Sequence, residues 1–172
     1  MAKQLIDQFP NRALVGITMS AANTISFEQI RFGIGLFQGV ALILHRVEYY
    51  PDLTSIRECV AVADEMQVAL TARDDLTSLY PTIQNVISCI QIVPLMVGAV
   101  VSLTLEGLPI VHDFTGMPGG GMIIPANPLF LAMDSTGFAG AGISRVILYF
   151  TFKSLADKDY LELLQTMVPA NI

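Results

Sequence analysis

The chain has 172 residues and a net charge of −6, a length that suits one domain whose core needs neither disulfides nor metals. Hydrophobic residues make up 53% and charged residues only 14%, against a usual quarter, so a free monomer would lack the charge to cover its surface. The composition points to burial against neighbouring subunits or lipid. The nine cations are scattered and form no basic stripe or arm, which argues against direct binding of nucleic acid.

Residues 1–22 read as an N-terminal arm or short helix that ends in the loose run MSAAN, and they lack the apolar centre of a secretory signal. Residues 23–172 read as one β domain. Thr24–Ile34 is its first predicted strand. Ile25 and Phe27 share one parity and Ile30, Phe32 and Ile34 the other, which suggests a β-bulge near Glu28–Gln29. Val40–Tyr50 is the next strand, ended by Pro51-Asp52, and Leu53–Ala63 could form a short helix. Over 65–73 the alternation is clean. Met66, Val68, Leu70 and Ala72 face one way, and Glu65, Gln67, Ala69, Thr71 and Arg73 form a wet or interfacial face.

Leu76–Leu105 contains no charged residue, and Ile87–Leu105 is long enough to be a spanning-helix candidate. Pro94 near its middle, its many β-branched residues and the alternation of Val97, Ala99, Val101, Leu103 and Leu105 favour two strands divided near Pro94. The flanking charges are acidic (Asp74, Asp75, Glu106), so no basic cluster marks a cytoplasmic side.

Ile110–Phe114 should be a short strand entering a long loop through Gly119-Gly120-Gly121, with Met122–Ile124 beginning the return. Pro128–Ser135 reads as a strand with Leu129, Leu131 and Met133 inward. Ser144–Lys153 alternates strictly, placing Val146, Leu148, Phe150 and Phe152 inside and Arg145, Tyr149 and Lys153 outside. The last predicted element is a short helix with Asp157 in its first turn and Tyr160, Leu163, Leu164 and Met167 on one face. About eight strands without βαβ alternation give an all-β, single jelly-roll-type antiparallel β-sandwich with one or two short helices, including a C-terminal one. An immunoglobulin-like sandwich or a closed barrel is the alternative.

Chemistry has few places to sit. His45 and His112 are the only histidines, 67 positions apart. His112 and Asp113 are neighbours, but adjacent strand residues point to opposite faces. The triple glycine lacks the spacing and the following Lys-Ser/Thr of a phosphate loop. Asp64-Glu65 and Asp74-Asp75 read as solubilising strand ends, with calcium bridging between subunits as the sharper alternative. Cys59 and Cys89 read as small buried hydrophobes. No catalytic, cofactor-binding or metal-binding residue is assigned, and no cofactor is expected.

The run PGGGMIIPANPLFLAMDSTG, then ISRVILYFTFKSL, then ADKDYLELLQ resembles the single-jelly-roll coat (capsid) proteins of small icosahedral viruses. In these a Pro/Gly-rich loop precedes the last strands. The resemblance implies a self-assembling shell subunit without catalytic activity, located in a virion and built into a homo-oligomer of many copies. Many such proteins carry a basic N-terminal arm, which this chain lacks. The shell would then surround something other than bare nucleic acid, such as an internal membrane or another protein layer, or a partner would neutralise the genome. Arg145, Tyr149 and Lys153 are the candidate interface residues. The rival readings are a soluble ligand-binding or enzymatic β-barrel, and a membrane-associated subunit using Ile87 to Leu105.

Overall fold

A computed structural model describes residues 10–33, 39–57, 59, 61, 63–83, 85–93, 95–97, 100–102 and 108–167, with side chains left out at 95–97, 100–102 and 166–167. In chain order the elements are β1 (Asn11–Thr18), β2 (Ser26–Gln29), β3 (Val40–Pro51), α1 (Leu53–Ile56), β4 (Glu65–Thr71), β5 (Val86–Ile92), β6 (Leu95–Val97), β7 (Val100–Ser102), β8 (Ile110–Asp113), β9 (Met122–Pro125), β10 (Phe130–Thr136), β11 (Ile143–Ser154) and α2 (Asp157–Met167).

Two antiparallel sheets form the sandwich. Sheet A runs β1-β11-β3, with β8 and β9 both on the far edge of β3; sheet B runs β2-β10-β4-β5. Strands close in sequence fall in opposite sheets (β2 and β3, β3 and β4, β10 and β11), so these connections cross from one sheet to the other. The short β6-β7 hairpin lies between β5 and β8 in sequence. The uncharged stretch around Pro94 is thus strand on both sides, and no helix among the described residues is long and apolar enough to cross a membrane.

The core lies between the sheets. Leu42, Leu44, Val47, Tyr49, Leu148 and Phe150 from sheet A meet Met66, Val68, Leu70, Leu131 and Met133 from sheet B, all fully or almost fully buried. Phe150 packs edge-on against Phe32 and Phe152, with ring centroids 4.9 and 5.2 Å away. The β10 and β11 patterns read from the sequence hold.

Five expectations change. Residues 11–18 of the expected arm are strand β1, paired residue for residue with β11 from Asn11↔Phe150 to Thr18↔Ile143. Ala13, Val15 and Ile17 turn inward there, and Ile17 is buried. The bulge expected near Glu28–Gln29 is absent: β2 keeps one register with β10, and the parity change comes after the strand ends. Ile25 and Phe27 pack on the outside of sheet B, whereas Ile30 and Phe32 belong to the interior.

The expected wet face of β4 is also covered. Gln67, Ala69 and Thr71 are buried, and Leu79 from the 72–85 loop lies fully buried with Ala69 and Ala132. Asp64, expected as a solvated end, is 6% exposed and accepts the Ala61 amide at 2.6 Å, because its carboxylate closes the turn into β4. The helix expected over 53–63 lasts one turn. Asp52 caps it by accepting the Thr54 amide at 2.9 Å, and residues 58, 60 and 62 lie outside the described residues. So do several of the alternating positions named between Val97 and Leu105.

Candidate interface on the outer face of sheet A

The paired registers of sheet A line up a polar row across four strands: Arg12 on β1, Tyr149 on β11, Arg46 on β3 and Asp113 on β8. The adjacent row is Leu14, Ile147, Glu48 and Val111. Beyond it Gly16 faces Arg145, and Arg145 faces Tyr50. All point away from the core, because each sits one residue from an inward partner.

The centre of this face is tightly connected. The Arg46 guanidinium lies 4.3 Å above the Tyr149 ring centre, within cation–π range. Its Nη2 is 2.8 Å from Glu48 Oε1. Glu48 Oε2 accepts the Tyr50 hydroxyl at 3.0 Å and the Tyr149 hydroxyl at 3.4 Å. Glu48 is only 8% exposed, and a carboxylate that deep is tolerable because a cation and two phenols surround it. Desolvation, and next the hydrogen bond to Glu48, push the Tyr50 phenol up. At the edge, side-chain and backbone hydrogen bonds from Thr115 hold the Asp113 carboxyl below its ordinary value. Large apolar side chains flank the network in the open: Leu14 at 64%, Val111 at 46% and Ile123 at 38% exposure.

The structure places Arg145, Tyr149 and Lys153 on this same outer face of β11. Tyr149 is half-buried inside the network, and Arg145 and Lys153 are exposed. Sequence reasoning missed Arg12, Arg46, Glu48 and Tyr50 as members of it. The alternation of Arg46, Glu48 and Tyr50 against Val47 and Tyr49 carried that signal.

The two histidines do separate work. His45 is the extra residue of a β-bulge: Phe150 pairs with Leu44 and Tyr149 with Arg46, which leaves His45 without a partner on β11. This bulge explains why the inward residues of β3 change parity between Leu44 and Val47. The freed imidazole reaches Gly120 O through Nδ1 at 2.8 Å and Thr151 Oγ1 through Nε2 at 3.1 Å. A carbonyl can only accept, so Nδ1 donates to Gly120 O, and the threonine hydroxyl, which can donate or accept, completes the pair at Nε2. β8 and β9 run in the same direction along β3, so the glycine loop is an excursion within one interrupted edge strand and not the turn of a hairpin. A Cβ on Gly121 would stand 2.7 Å from Leu44 O, so only glycine fits where the loop rejoins the sheet.

His112 turns inward, with Nδ1 2.6 Å from Ser88 Oγ. Asp113 turns out, so the two do not form a catalytic pair. Cys59 is buried, Cys89 is half-buried with its thiol pushed up to about 11 chiefly by burial, and neither is in a disulfide. Among the described residues no group of three or more His, Cys, Asp and Glu stands close enough to hold a metal ion. A cavity of about 390 Å³ under the 72–85 loop is lined by the Arg73–Asp75 ion pair, Thr77, Ser78 and Asn85 among others.

No protein-family model matches the chain, and no curated protein matches it. Two solved structures align weakly. One is a crystal structure of the infectious bursal disease virus VP2 subviral particle, with 12% identity and a TM-score of 0.22 over 87% of this chain and 39% of that one. The other is a structure of infectious bursal disease virus Gx strain, with 9% identity and a TM-score of 0.19 over 90% of this chain and 36% of that one. The chain thus spans well under half the length of either. Likeness at that level carries no weight for what this protein does.

Proposed function

We propose that the protein is a non-catalytic, self-assembling structural subunit of a virion shell, and that the outer face of sheet A, including Arg145, Tyr149 and Lys153, is one of its contact surfaces. The observation that carries this reading is the ordered Arg46–Tyr149–Glu48–Tyr50 network beside exposed Leu14, Val111 and Ile123. Rigid aromatic and arginine side chains next to open apolar ones make up the usual centre of a protein contact. Composition supports it, because a chain with 14% charged residues covers itself poorly alone.

The partners are then many copies of the same chain, with another protein layer or an internal membrane as what the shell meets inside. A stable contact would bury roughly 1,200–2,000 Å² in total. Negative-stain microscopy of the purified protein, with light scattering on the same sample, tests the reading. Regular particles far above the 18.6 kDa of one chain are expected, and a monodisperse monomer at micromolar concentration would overturn it.

A further inference from the structure

We infer that copies of the chain meet head to tail, with the outer face of sheet A receiving helix α2 of a neighbouring copy. The inference rests on the assembly reading above and goes beyond it by naming the two surfaces. The first observation is a charge asymmetry. Among the described strand residues, Arg12, Arg46, Arg145 and Lys153 lie on the outer face of sheet A with Glu48 and Asp113 against them, an excess of two positive charges in a chain of net −6. A two-fold contact of this face with itself would set cations against cations. Opposed like charges are strongly disfavoured at an interface, so the face requires a different, acidic surface. That makes the contact heterologous.

The second observation is where such a surface exists. Asp157, Asp159 and Glu162 are all exposed on α2, as is Leu161 at 57%; Asp157 lies one turn before Leu161 on the same face, and Asp159 and Glu162 lie on other exposed sides of the helix. The one cation on the helix, Lys158, lies 3.9 Å from Glu162. Tyr160 is buried, so the helix is anchored to its own subunit and presents its acidic side outward. On the receiving face exposed Leu14 sits between Arg12 and Arg145, and Arg145 lies opposite Gly16, which adds no side chain there. A helix carrying three exposed acids and one cation thus meets a face with an excess of cations.

The test is a charge swap followed by sedimentation velocity. One variant carries Arg12→Glu and Arg145→Glu, a second carries Asp159→Lys and Glu162→Lys, and a third carries all four. Every substituted side chain is exposed, and circular dichroism confirms the fold of each. Each double variant should raise the concentration needed for particles about tenfold or more, and the quadruple variant should return it toward wild type. Raising salt from about 0.05 M to about 0.5 M should weaken wild-type assembly. If both double variants assemble as the wild type does, the shell reading stands and the docking of α2 on sheet A is wrong. The docking is equally wrong if the quadruple variant fails to recover, or if particles form only when nucleic acid is added. If the wild type itself stays monomeric, both the shell reading and this contact fail.

Discussion

Ser88 Oγ on β5 and His112 Nδ1 on β8 lie 2.6 Å apart, a hydrogen bond that ties sheet B to sheet A at one edge of the sandwich. The Tyr49 ring stands edge-on to the imidazole at 5.4 Å and is itself fully buried. Desolvation holds the His112 pKa below its ordinary value, so burial favours the neutral ring over the charged one.

This fixes the sign of a pH effect. The unfolded chain protonates His112 near pH 6.5 and the native state only at lower pH, so its contribution is full above about pH 6.5 and is lost as pH falls below it. Asp134 has the opposite sign, because burial raises its pKa, so comparison with a variant isolates the histidine. The urea midpoint of the wild-type subunit should drop between about pH 7 and about pH 5, and His112→Gln should flatten that slope. Ser88→Ala should cost about 0.5–1.5 kcal/mol at neutral pH. An unchanged slope in His112→Gln would show that the ring is not the group responsible.

Neighbours on β11 should separate by mechanism. Phe150 is 3% exposed and packs on Phe32 and Phe152, so Phe150→Ala should cost about 3–5 kcal/mol through lost transfer energy and a residual cavity. Tyr149→Ala removes a cation–π contact and one long hydrogen bond to Glu48, for about 1–2 kcal/mol, and should impair assembly more than its stability loss explains. Urea unfolding of dissociated subunits, set beside particle yield, checks both. A larger stability loss for Tyr149→Ala would mean the faces of β11 are assigned the wrong way round.

His45 pins the glycine loop from outside the loop. His45→Ala removes both contacts, to Gly120 O and Thr151 Oγ1, at a cost of about 1–2 kcal/mol. Limited proteolysis should then cut within 115–120, all of which is exposed. Gly121→Ala should damage the same region by steric conflict with Leu44 O. Equal resistance of wild type and His45→Ala to protease would remove the pinning role.

The long regular elements were legible because their inward positions carry large apolar side chains at every second residue: Met66, Val68 and Leu70 on β4, Leu131 and Met133 on β10, and Val146, Leu148 and Phe150 on β11. Burial alone would not have shown it, since β4 and β10 are covered on both faces. β1 was missed because its outward set includes Leu14 and Gly16, so polarity does not mark the solvent face. The bulge was placed on the wrong strand for a related reason. A parity change in the sequence has two causes, a strand end after Gln29 and a true extra residue at His45, and only pairing tells them apart. The cover over β4 came from Leu79, a residue in a segment with no periodicity of its own. At the candidate interface, β11 supplied its three residues from the alternation, whereas the link to Arg46 and Glu48 needed the register between β11 and β3.

The most direct test of the account is the native mass of the wild-type protein in detergent-free buffer, measured by sedimentation velocity across micromolar concentrations. A self-assembling shell subunit predicts a discrete, very large species that persists on dilution to about micromolar and shrinks toward the subunit at high salt. A single boundary at the 18.6 kDa of one chain, unchanged by concentration and salt, would contradict it.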